Sequence, residues 1–101
     1  MIKHIVMWKL KASAEDASKE ENAQKIKEIL EALPETISEV SALEVGLNFA
    51  EGNAAYDVAL YTEFESKVDL ETYRVHADHV KAAGFIGEVT AERVVVDYEV
   101  E

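Results

Sequence analysis

The sequence predicts an α+β domain in which a four-stranded antiparallel sheet carries its helices on one face. Four stretches alternate in hydrophobicity as strands do, and two others carry apolar residues at helical spacing. Their order along 101 residues is β-α-β-β-α-β, which is the split βαβ, ferredoxin-like arrangement. The length suits a single domain over residues 1–101, with no linker, repeat or low-complexity tract to divide it.

The first strand runs from Ile2 to Leu10. It places Ile2, His4, Val6, Trp8 and Leu10 on one face and Lys3, Ile5, Met7 and Lys9 on the other. Because the second face keeps Ile5 and Met7, it is too apolar for a simple solvated surface, and a partner sheet is the simplest cover. Ser13 with Asp16 three residues on predicts a helix N-cap, and Glu15 and Asp16 suit the positive end of the helix dipole. Ile26, Ile29, Leu30 and Leu33 then form one apolar stripe, and Pro34 ends it.

Leu43, Val45, Leu47 and Phe49 mark the second strand, and Tyr56, Val58, Leu60, Thr62 and Phe64 the third. The Gly52-Asn53 turn between them predicts a hairpin. Ser66 with Asp69 repeats the capping pattern and opens a helical region from Lys67 to Ala83, with a break near His76 left open. Gly84 is the expected stop, a Gly84–Gly87 link follows, and the last strand alternates from Val94 to Val100. Two such sheets placed face to face would bury their apolar outer sides, at about 25 cal/mol per Å² removed from water, so a symmetric homodimer is expected.

Composition removes several classes of function. A formal charge of -11, from 10 basic and 21 acidic residues, argues against nucleic acid and anionic membranes as partners. No apolar run is long enough for a membrane span and no secretory signal is visible, so the cytoplasm is expected. With no cysteine, disulfides, thiolate catalysis and cysteine-ligated metals are all excluded. The stretch with most chemistry is Tyr73-Arg74-Val75-His76-Ala77-Asp78-His79, which holds a tyrosine and two of the three histidines.

Four segments in register carry a resemblance. They are Lys3 to Leu10, Leu43 to Asn48, Thr62 to Ser66, and the Tyr73…His76…His79-Val80 stretch. Together they resemble the stress-responsive α/β-barrel (Dabb) family over nearly the whole chain. The resemblance implies a ferredoxin-like fold whose dimers share a β-barrel. Most of that family has no defined reaction, but a plant branch includes polyketide cyclases that close rings by aldol condensation. There a tyrosine and a histidine of the Tyr…His…His stretch act on the substrate, and a histidine of the first strand lines the pocket. Those positions match Tyr73, His79 and His4, while His76 matches the family's other histidine. This chain has Ala77 where the family usually has proline, and a helix continuing through Ala77 would rotate His79 away from Tyr73.

Two functions are therefore expected, in this order. The first is a small dimeric module that is structural or binds a small carbonyl or aromatic ligand, needs no cofactor and has an undefined biochemical role. The second is a cofactor-free, cyclase-like lyase, with His79 as acid/base, Tyr73 as donor to a developing oxyanion, and His4, Trp8 and His76 at the pocket. A metal site built on His76 and His79 is weak, because no third strong ligand accompanies them.

Overall fold

The computed structural model describes residues Met1–Glu101. Its main sheet consists of β1 (Ile2–Leu10), β2 (Ala42–Leu47), β3 (Val58–Phe64) and β4 (Thr90–Glu99), ordered β2-β3-β1-β4. All neighbours are antiparallel. Helices α1 (Lys19–Glu31), α2 (Lys67–Val75) and α3 (Ala77–Val89) connect them. The ferredoxin-like architecture expected from the sequence is present, and no helix is long and apolar enough to cross a membrane.

Register assigns the two faces. His4 lies opposite Thr62 and Asp97, and Val6 opposite Leu60 and Val95, so these positions share the helix-facing side. There Ile2, Val6, Trp8, Val58, Leu60 and Phe64 meet Ile26 and Leu30 of α1, Tyr73 of α2 and Ile86 of α3 in one buried core. Ile5 lies opposite Tyr61 and Val96, and Met7 opposite Ala59 and Val94. This outer face keeps Met7, Val94, Val96 and Tyr98 exposed.

Three local expectations are corrected. The first helix does not start at Ser13, because Ser13–Ala14 and Ala17–Ser18 pair as a minute hairpin. Glu15 and Asp16 sit at its tip with φ of 53° and 58°, the pair of left-handed residues that a tight two-residue turn requires. The cap belongs to Ser18. Its hydroxyl accepts from the Glu21 N–H at 3.2 Å, while the Glu21 carboxylate accepts from the Ser18 N–H at 3.1 Å. Both serines satisfy the capping pattern, and only the second also has the returning carboxylate. The second strand ends at Leu47, which leaves Phe49 in the loop, almost wholly exposed. Finally, Gly84 does not stop the helix: α3 passes through Gly84 and Gly87 to Val89, and the last strand begins at Thr90. Two glycines lower helix propensity without breaking the hydrogen-bond ladder, and Ile86 and Val89 bury against the core to hold it.

The Ser66 cap is as expected, accepting from the Asp69 N–H at 3.1 Å. The helical region breaks at His76 despite the alanine after it. His76 takes an extended conformation (φ −60°, ψ 138°), and its Nδ1 accepts from the Asp78 N–H at 3.1 Å. A histidine side chain thus supplies the restart that proline would otherwise favour.

Candidate functional site

The candidate residues gather between β1, α2 and α3. His4 is brought to the helix-facing side by strand alternation and is buried. Its Nδ1 meets the Asp97 carboxylate, directly opposite on β4. A carboxylate accepts, so Nδ1 donates and the ring is fixed with Nε2 turned away from Asp97.

Tyr73 is held in the core by α2 and has no solvent exposure. Its ring centroid lies 4.4 Å from that of His79, 5.0 Å from Phe64 and 6.3 Å from His4. The buried hydroxyl has no hydrogen-bond partner in the protein. Burial pushes its pKa up to about 12.

His79 occupies the first turn of α3, where the break at His76 sets its direction. Its Nδ1 lies 3.0 Å from the Arg74 carbonyl oxygen. Since that oxygen can only accept, Nδ1 carries the proton and Nε2 is the basic atom of the neutral ring. Burial lowers the His79 pKa, and the cationic forms of His4, Arg74 and Arg93 lower it further, against the raising effect of the Arg74 carbonyl. The neutral base is the form held at neutral pH.

A cavity of about 260 Å³ opens between sheet and helices. His4, Trp8, His79 and Arg93 form its polar and aromatic wall, and Val6, Leu30, Leu60 and Ile86 its apolar wall. Two expectations need correction here. Tyr73 is not a wall residue; it backs the two histidines. His76 is not in the wall either, because its ring is used as the cap of α3. Arg93 and Thr90 also line the cavity but precede Val94, where the alternation that predicts the last strand starts. Extending the alternation back one residue places Arg93 in phase with Val95 and Asp97, on the side facing the helices. No three His, Cys, Asp or Glu side chains converge as a metal site would require.

The fold and cavity define a ferredoxin-like domain with a small polar-walled pocket between its sheet and helices. The family model described as the stress responsive A/B barrel domain matches residues 2–100. The chain belongs to the stress-responsive α/β-barrel (Dabb) family. It is similar to a Bacteroides fragilis protein described as dimeric, ferredoxin-like and of unknown function, at 39% identity and TM-score 0.84, covering 98% of this chain and 95% of that one. A dimeric ferredoxin-like protein of unknown function from Thermobifida fusca aligns at 23% identity and TM-score 0.81, covering 98% and 90%. The hydroxynitrile lyase of Passiflora edulis shares the fold at 18% identity and TM-score 0.82, covering 99% and 93%. A search of curated proteins gave no match.

Proposed function

We propose that this protein is a homodimeric, cofactor-free binding module for a small molecule with an apolar body and an oxygen acceptor such as a carbonyl. The observation that carries this reading is the cavity of about 260 Å³, whose apolar wall faces His4 and His79, each with Nδ1 already engaged. An apolar cavity of about 150 Å³ is enough to hold benzene, so this one suits a single substituted ring. Self-association rests on the exposed Met7, Val94 and Val96 of the outer sheet face, and on the dimeric state described for the Bacteroides fragilis relative. We place it in the cytoplasm, where a chain without cysteine needs no disulfide.

The test uses Trp8, the one tryptophan of the chain, which lines the cavity. Single-ring carbonyl and aromatic fragments should change its emission and raise the melting temperature as the ligand concentration passes Kd. Fragments that leave both unchanged up to solubility would overturn the binding reading.

A second reading has support from His79 alone. A neutral imidazole with Nε2 basic and Nδ1–H anchored on a carbonyl is suited to remove a proton α to a substrate carbonyl, the first step of an aldol-type ring closure. Tyr73 does not support the donor role proposed for it, since its hydroxyl is withdrawn behind the wall. Loss of turnover of a carbonyl substrate in His79→Ala with binding retained would favour this reading; unaltered turnover would exclude it.

A further inference from the structure

Arg93 is the one lysine or arginine that lines the cavity, and it is unpaired. All six ion pairs involve other basic groups, and its guanidinium makes no side-chain hydrogen bond. Lys11, Lys25, Lys67 and Lys81 are also without an ion pair, but none of them lines this cavity. The nearest acid on Arg93's own side of the strand is Asp97, four residues along, which is roughly 13 Å in an extended strand. That carboxylate is already taken by His4. Glu92 points to the other face and pairs with Lys9 at 3.7 Å.

The register also gives the cavity a direction. Asp97 and His4 lie at one end of the β1–β4 ladder, Arg93 and Trp8 nearer the other. Arg93 is the one permanently charged side chain in the wall. Thr90, beside it, has its hydroxyl proton donated to the Ile86 carbonyl at 2.6 Å, which leaves only acceptor capacity there. Trp8 lies directly opposite Arg93 in the strand register, and α3 adds Ala83, Ile86 and Gly87 to the wall beyond His79.

Resting on the binding function proposed above, we infer that the ligand is a monocarboxylate. Its carboxylate is taken by Arg93 at the cavity mouth and its ring or branched body lies against Trp8, Leu60 and Ile86. A planar guanidinium matches a carboxylate through two parallel N–H···O bonds, which an ester or amide cannot reproduce. His4, at the other end of the β1–β4 ladder, then faces the part of the ligand farthest from its charge. Specificity is thus divided: the apolar wall selects size and Arg93 selects the anion.

The experiment titrates the intact protein with benzoate and, separately, with benzamide at pH about 7.5, where a carboxylic acid is fully ionised. Trp8 emission is the readout, for wild type and for Arg93→Gln. Arg93 is exposed and unpaired, so the substitution leaves the core untouched. Benzoate is expected to bind about tenfold more tightly than benzamide to the wild type, as a charge-assisted pair implies. Arg93→Gln should abolish that preference. Equal binding of both probes to the wild type would overturn the carboxylate inference while the cavity reading stands. A benzoate preference that survives Arg93→Gln would also overturn it, moving the anion to the histidines. Silence of Trp8 toward both probes would overturn the binding function itself and the inference with it.

Discussion

Replacing Tyr73 by phenylalanine should stabilise this protein. The ring, with its contacts to Phe64 and His79, is kept, and only the hydroxyl is lost. That hydroxyl is wholly buried and has no partner in the protein, a state that costs about 1–3 kcal/mol. Removing one oxygen forfeits several dispersion contacts of about 0.1–0.2 kcal/mol each. The net expectation is a gain of about 1 kcal/mol, or a melting temperature higher by about 4–8 °C in a domain of this size. Alkali should enlarge the difference in the same direction. Burial raises the tyrosine from 10.0 to about 12, so the unfolded chain loses its proton first. The contribution is complete below pH 10 and is lost as pH rises toward 12, by at most about 2–3 kcal/mol at 1.36 kcal/mol per unit. Denaturant melts of both proteins, at one protomer concentration and across this range, would show the wild type falling more steeply. A Tyr73→Phe protein less stable than wild type by over about 1 kcal/mol at neutral pH would refute the reasoning, because the hydroxyl would then be making a favourable bond.

Four further outcomes are expected. Ala77→Pro should be neutral or stabilising by up to about 1 kcal/mol, because Ala77 is the first residue of α3 and His76 is already extended, whereas His76→Ala should cost about 1 kcal/mol through the lost cap; chemical denaturation measures both. Gly84→Ala and Gly87→Ala should each raise stability by about 0.5–1 kcal/mol, since an added Cβ meets nothing within 4 Å, but only Gly87→Ala, on the cavity wall, should weaken fragment binding. Val94→Glu with Val96→Glu on the outer sheet face should convert the dimer to monomers in light scattering, while leaving the helix-side cavity formed. Acidification should destabilise the protein through His79: its folded pKa lies below 6.5, so the unfolded chain takes the proton first, and stability present above pH 6.5 is lost as pH falls below it. His79→Gln should flatten that part of the stability profile.

Much of this architecture is written in short-range pattern. The alternation of Ile2, His4, Val6, Trp8 and Leu10 requires one buried strand face, and β1 has that burial pattern. The Ser66 cap was legible because one side chain and one N–H three residues apart determine it. The failures share a cause. Ser13 and Ser18 offer the same local pattern, and the choice between them depends on pairing that buries Asn22, whose amide donates to the Ala14 carbonyl at 3.0 Å. Gly84 reads as a helix end until Ile86 and Val89 are seen to anchor the turns beyond it. Strong periodicity is a property of neighbours in sequence, whereas a helix end is decided by whatever lies on the far side of the core.

The candidate site divides in the same way. Residue types and spacing single out Tyr73, His76 and His79 as the stretch where chemistry is concentrated, and strand alternation puts His4 and Trp8 on the correct face. By itself the sequence determined the ferredoxin-like order of elements, the inward and outward strand faces and these polar residues. Tertiary structure alone decided which of them share a cavity. It retired Tyr73 behind the wall, spent His76 on a helix cap, turned the Nε2 of His79 free by anchoring Nδ1 on Arg74, and carried Arg93 from β4 to the mouth. The physical reason is that a side chain's role follows from which hydrogen bonds are already satisfied and how much water has been removed around it, and both are set by segments distant in the chain.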